Sequence, residues 1–208
     1  MTVAADGTTV RRLTAEDADA FIALRRLVDA DNPVPLGLGM EEELARPLQG
    51  FREQLAAPSN AMFGAFIDCG LAATAAVTPD GPFSSSRHKF ILWGTFAAPA
   101  YRRQGLGRTV VGHAIAHARR AGARRVHLTM YLPNQAAAAL YESLGFVAWG
   151  TEPEAVCITG TYHEGLQMGL MLDGIVSTRA GPPCLQATHP IDFTTGSFSC
   201  RLTLCAHC

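Results

Sequence analysis

Tyr101-Arg102-Arg103-Gln104-Gly105-Leu106-Gly107-Arg108 joins an apolar run ending near Ala98 to a long amphipathic pattern. Two glycines let backbone approach a ligand closely, and the helix start behind them offers unpaired N–H groups to an anion. Arginines on both sides add positive charge. The stretch reads as a seat for a phosphate-bearing ligand.

Its flanks extend the pattern. Upstream, Lys89–Ala97 is strand-like, with Phe90, Leu92 and Gly94 alternating with Ile91, Trp93 and Thr95. Downstream, Leu106, Val110, Val111, Ala114, Ile115 and Ala118 mark one face of a helix. Arg119 and Arg120 suit its C-terminal dipole, and Gly122 stops it. Arg124–Leu132 is a second strand, with Val126, Leu128 and Met130 on one face. Asn134 is a good N-cap for the next helix, whose buried stripe is Ala137, Leu140, Tyr141 and Leu144. Phe146–Gly150 and Tyr162–Leu172 close the pattern as strands, with a turn at Gly160.

Towards the N-terminus, Ala61–Ile67 and Leu71–Thr78 flank Asp68-Cys69-Gly70, a hairpin signal in which Gly70 supplies the unusual backbone angle. Met40–Ala57 reads as a helix bent or doubled at Pro47. Asp31–Gly39 is a loop. Phe21, Leu24, Leu27 and Val28 form one helical face behind the capping-box pattern Thr14-Ala15-Glu16-Asp17. Thr8–Leu13 is a first strand. Hairpins mixed with crossovers predict an α/β domain with a mixed sheet flanked by helices. After Gly174 the periodicity stops, so residues 8–173 form the expected domain and 174–208 a loosely ordered tail containing cysteines.

With 208 residues and a net charge of −1, the chain has ample core but no global pull towards nucleic acid or an anionic membrane. No secretory signal is visible, and no stretch approaches the ~18 apolar residues of a membrane span. The expected location is the cytoplasm, with neither nucleic acid nor membrane as partner. No metal site is expected. His113 and His117 read as a solvated helix flank, and His127 as structural or exposed. In the tail, only Cys205 and Cys208 have zinc-ribbon spacing.

Two nucleotide-binding readings of the glycine turn fail. A Walker A loop needs four residues between its glycines, then Lys and Ser or Thr. A dinucleotide fingerprint needs a third glycine where Val110 stands. The wider context is more specific. Arg102-x-x-Gly105-x-Gly107 is followed downstream by Asn134 and then Leu140-Tyr141-Glu142-x-Leu144-Gly145-Phe146. This pairing resembles the GNAT superfamily of acyl-CoA-dependent N-acetyltransferases.

The resemblance implies a GNAT-type mixed sheet with a β-splay at the acyl-CoA site, and acetyl-CoA as cosubstrate. Backbone N–H groups of Gln104, Gly105, Leu106, Gly107 and Arg108 would bind the pyrophosphate, with Arg102, Arg103 and Arg108 adding charge. The splayed strand maps to Phe96, Ala97 and Ala98, whose backbone would take the pantetheine arm and stabilise an oxyanion. Asn134 would touch the coenzyme as well as cap its helix. Tyr141 would protonate or hydrogen-bond the leaving thiolate. No Asp or Glu lies in Lys89–Ala97 to act as base. Glu152, Glu154, His163 and Glu164 are substitutes near the last strands, beside a water relay or an amine arriving neutral. The implied activity is transfer of acetyl to an amine by direct attack in a ternary complex. A small molecule is the first acceptor and a peptide or protein amine the second; a non-catalytic acyl-CoA sensor is the alternative from another class. A homodimer is left open.

Overall fold

The computed structural model describes residues 2–3, 7–31, 45–158 and 160–172. Expectations for residues 32–44 and for the tail lie outside these residues.

Eight strands form one sheet: β1 (Thr2–Val3), β2 (Thr9–Arg12), β3 (Ala61–Ile67), β4 (Gly70–Pro79), β5 (Lys89–Ala97), β6 (Arg125–Tyr131), β7 (Val147–Ile158) and β8 (Thr161–Met171). Their order is β1-β2-β3-β4-β5-β6-β8-β7. Every pairing is antiparallel except β5 with β6. The helices are α1 (Ala18–Asp31), α2 (Leu48–Ala56), α3 (Leu106–Arg120) and α4 (Gln135–Ser143).

Two apolar layers sandwich the sheet. One gathers Val110, Val111 and Ala114 of α3 with Tyr141 of α4 against Leu128 and Met168. The other gathers Phe21, Leu24, Phe51 and Leu55 of α1 and α2 against Met62, Ala76 and Phe96. All six apolar positions assigned to the α3 stripe are buried.

Three local expectations are corrected. In α1, Leu27 is 57% exposed while Arg25 is 2% exposed, its guanidinium 4.2 Å from the Phe96 ring centroid. Steps of three residues drift off a 3.6-residue face, whereas Arg25 sits one turn after Phe21. In the β3–β4 hairpin, Asp68 and Cys69 adopt φ of 48° and 67°, and Gly70 does not. A two-residue turn of this kind needs positive φ at both central positions, so these two carry the strain instead of the glycine. Finally, β7 runs on to Ile158, with register shifts at Ala148/Gly150 and Glu152/Val156. The expected strand stops at Gly150, whereas β7 continues through Pro153 because it lies on the sheet edge, where proline and bulges are tolerated.

Pro47 stands as the N-cap of α2, so among the described residues it starts a helix instead of bending one. Asp17 accepts from the Thr14 N–H at 2.8 Å and takes both Arg11 guanidinium nitrogens, at 2.7 and 2.6 Å. This fastens the entry to α1 onto β2.

Candidate functional site

The site begins where the sheet opens. β5 and β6 pair only over Lys89–Ile91 and Arg125–His127, although β5 continues to Ala97 and β6 to Tyr131. Beyond Ile91 the two parallel strands part and leave a gap in the middle of the sheet. Backbone groups that face such a gap have lost their ladder partners, at about 1–3 kcal/mol each if buried without replacement. A ligand with amide groups of its own suits them.

A bulge in β5 decides which groups face the gap. Gly94 has φ of 62°, and the β4–β5 register shifts between Thr74 and Ala76. The fully buried Thr74 hydroxyl donates to the Gly94 carbonyl at 2.9 Å and holds the bulge in place. The strand's simple alternation therefore fails after Trp93. Trp93 and Phe96 both pack into the α1–α2 layer, and Thr95 turns to the layer of Tyr141. Of the three residues assigned to the pantetheine arm, Ala98 spends its N–H on Ala72 O at 2.8 Å. By the alternation of an antiparallel ladder, Ala97 turns its groups to the open side. Its carbonyl accepts from Arg102 Nε at 3.2 Å. Phe96, beside it, is 9% exposed, with its ring under Arg25.

The glycine turn sits at the end of this gap. Pro99–Tyr101 forms a single 3-10 turn after β5. Arg103 and Gly105 then take left-handed φ of 62° and 81°. Gly105 is the N-cap of α3 and offers no side-chain cap; Thr109 N donates back to its carbonyl at 3.0 Å. The N–H groups of Gly105, Leu106, Gly107 and Arg108 precede the first intrahelical bond and point out of the helix end, where the dipole favours an anion. A side chain at Gly105 would meet nothing within 4 Å, and one at Gly107 would touch Leu140 of α4 at 3.4 Å. The first glycine thus keeps a surface clear, whereas a side chain at the second would make only an ordinary contact with Leu140. Leu106 is buried in the core. Gln104 is exposed and donates from Nε2 to Ala100 O at 3.3 Å. Arg108 does not point away into solvent: Nη2 donates to Ser143 Oγ at 2.6 Å and Nη1 to Ser143 O at 3.3 Å.

Asn134 caps α4, its Oδ1 accepting from Ala137 N at 3.1 Å. That helix carries Tyr141, 8% exposed, with its ring edge-on to Phe146 at 5.7 Å. Burial pushes the phenol above its ordinary value, and the neighbouring Thr95 hydroxyl partly offsets the shift. Thr95 Oγ1 is itself buried, and its effect on the phenol places it beside Tyr141. A neutral phenol and a buried hydroxyl therefore stand together beside the open strand. Sequence alone misses Thr95 because it looks like one member of an alternating strand; Gly94 inside that strand is the available signal for a bulge.

The substitutes for a base are dispersed. His163 Nδ1 lies 3.2 Å from Leu132 O, Glu154 sits exposed on the β7 bulge at φ 51°, and Glu164 is exposed. Glu152 accepts from Gln167 Nε2 at 3.0 Å. Nearby Tyr131 is raised by burial and by the Glu152 charge. His127 lies at the closed end, 3.7 Å from Asp80, whose carboxylate is held by Lys89 at 2.8 Å; burial pushes the imidazole below its usual value. His113 and His117 pack near the Phe63 ring, at 6.1 and 5.8 Å. Among the described residues no group of three His, Cys, Asp or Glu is placed to hold a metal ion. A surface groove of about 610 Å³ lies between α3 and strands β2 and β3, lined by Arg12, Phe63, Gly112 and His113 and reaching Arg108.

This mixed sheet flanked by helices matches solved acetyltransferase structures. A GNAT-family acetyltransferase from Streptococcus pneumoniae matches with a TM-score of 0.66 at 25% identity, over 79% of this chain and 99% of that one. The protein yncA from Salmonella typhimurium, solved with its cofactor acetyl-CoA, matches at 0.66 and 20% identity, over 83% and 98%. The model of the acetyltransferase (GNAT) family matches residues 21–146, and the chain belongs to that family. Mycothiol acetyltransferase from Nocardiopsis dassonvillei is 27% identical over 143 residues, 67% of this chain and 42% of that protein. The ribosomal protein bS18-alanine N-acetyltransferase of Escherichia coli K12 is 48% identical over 55 residues, 26% of this chain and 37% of that protein. The chain thus spans about two fifths of the curated relatives it matches.

Proposed function

We propose that the protein transfers an acetyl group from acetyl-CoA to an amine by direct attack in a ternary complex. The observation that carries this is the gap between β5 and β6, with the open N-terminus of α3 at one end and Tyr141 beside it. The residues suit acetyl-CoA. The helix start and clear surface at Gly105 match a pyrophosphate, and the open edge at Ala97 matches an amide-containing arm. Asn134, already a cap, keeps one amide face for the coenzyme. The cosubstrate supplies an activated carbonyl and a thiolate leaving group. Tyr141, kept protonated by burial, supplies the proton or hydrogen bond that the thiolate needs. The acetyltransferase domain spans residues 8–173 and works in the cytoplasm.

A small-molecule amine is the favoured acceptor. The 48% identity to the bS18-alanine enzyme over 55 residues supports a peptide amine as the second reading. Incubation with acetyl-CoA and a panel of small amines and peptides, followed by mass spectrometry of the acceptors, tests both. A product heavier by one acetyl group supports the proposal, and the accepted class chooses between them. Tight acetyl-CoA binding with no acetylated product speaks for a sensor.

A further inference from the structure

We infer that Thr129, fixed in one orientation by Gln167 and Glu152, seats the acceptor as a cationic amine on the face of the sheet opposite Tyr141. The inference rests on the acetyltransferase reading above and adds the acceptor's charge and place.

Position comes first. Ile91 and His127 are the last paired residues before β5 and β6 part, and Thr129 is two residues further along β6. Val126, Leu128 and Met130 turn into the layer of α3 and Tyr141. Thr129 therefore turns the other way, at the root of the gap, and is exposed. A thioester carbonyl lying in the gap would have Tyr141 on one side and Thr129 on the other. That separates the leaving group's proton source from the side on which the nucleophile arrives. The seated ammonium releases one proton to the solvent at exposed Thr129, and the neutral amine attacks the carbonyl as the C–S bond breaks and Tyr141 serves the thiolate.

Orientation follows from hydrogen-bond chemistry. Gln167 Nε2 donates to Glu152 Oε2 at 3.0 Å, and Thr129 Oγ1 donates to Gln167 Oε1 at 2.9 Å. A carboxylate only accepts, so Gln167 must present its NH2 to Glu152 and its oxygen to Thr129. The single Thr129 hydroxyl proton is then committed to Gln167, which leaves oxygen lone pairs facing the gap. Sterics fix the rotamer too: a Cβ on Gly165 would stand 2.9 Å from Thr129 Cγ2 and 2.8 Å from Ala155 Cβ. The methyl occupies the space that the glycine leaves, and the hydroxyl is held towards Gln167. Such a group accepts an N–H and gives nothing to a carboxylate or carbonyl. The Glu152 charge at the far end of the chain favours a cation. The nearby positive group on this face, Arg125, lies towards the closed end, 5.4 Å from the Trp149 ring centroid.

Steady-state kinetics with a cationic amine that the unmodified protein acetylates tests the inference. Thr129→Val keeps the shape and removes the hydroxyl; the amine KM should rise roughly tenfold or more, as for loss of a hydrogen bond to a charged group, with the acetyl-CoA KM unchanged. Thr129→Ser should restore it. Glu152→Gln should raise the amine KM less, and adding it to Thr129→Val should add little, because both act through one chain. Normal amine KM in Thr129→Val alongside normal turnover overturns this inference alone. No turnover of any amine by the unmodified protein overturns the acetyltransferase reading and this inference with it.

Discussion

Arg108 and Ser143 join the two helices that matter most: Arg108 Nη2 donates to Ser143 Oγ at 2.6 Å, while Ser143 donates in turn to Leu140 O at 2.6 Å. The guanidinium at the glycine turn is thereby tied to the last turn of the helix carrying Tyr141. It acts as a strut between the glycine turn and the helix carrying Tyr141.

A strut and a phosphate ligand behave differently on substitution. Arg108→Ala and Ser143→Ala should lower kcat by similar factors, roughly two- to tenfold for the loss of one or two exposed hydrogen bonds, and the double variant should be little worse than either. A tenfold rise in acetyl-CoA KM for Arg108→Ala alone, with Ser143→Ala silent, would make Arg108 a phosphate ligand instead.

Tyr141→Phe removes one oxygen and keeps the ring against Phe146. Loss of a positioned acid costs typically about 10²-fold or more in kcat, with acetyl-CoA affinity unchanged by titration calorimetry. Burial raises this phenol above the ordinary value near 10, so the acid form persists through the neutral range and kcat should show no loss assignable to this group below pH 10. The same sign applies to stability: the neutral form is favoured in the folded state, and that contribution is lost only as pH rises through the raised value. An unchanged kcat in Tyr141→Phe removes the tyrosine from the chemistry.

Gly105→Val should fold and fail to bind acetyl-CoA. The position has φ of 81°, costing a side chain about 1–2 kcal/mol, but no protein atom stands within 4 Å of the new Cβ. A thermal melt should show a modest drop with a single transition, and calorimetry no coenzyme binding. Undiminished binding would move the pyrophosphate elsewhere.

The α1 anchor gives a pH-dependent stability. Hydrogen bonds from Arg11, then from Thr14, hold the Asp17 carboxyl below its usual value against the opposing effect of burial. Its contribution is present above the unfolded value near 4 and is lost as pH falls through the folded value. Asp17→Asn should destabilise by about 1–3 kcal/mol at pH 7, measured by urea unfolding, and the difference from the unmodified protein should shrink progressively below pH 4. A difference independent of pH would contradict the ion-pair account.

Much of this was legible because local chemistry and tertiary structure agree. The α3 stripe from Leu106 to Ala118, the Asn134 cap and the glycine turn are dictated by residue spacing within one element. The register inside the site was not, because it depends on single backbone residues. Gly94 shifts the alternation of β5 and sends Thr95 towards Tyr141; Pro153 conceals that β7 continues through a bulge. Likewise the insertion of β8 between β6 and β7 is a long-range choice, and it alone brings Gln167 beside Thr129. Arg108 looks like phosphate charge from its neighbours in sequence, whereas its partner Ser143 lies on another helix.

Release of free thiol from acetyl-CoA, followed with and without added amine, tests the central claim most directly. The predicted result is thiol release that depends on the amine, equals the amide formed, and collapses in both Gly105→Val and Tyr141→Phe. Tight acetyl-CoA binding with no amine-dependent release across the panel would contradict it.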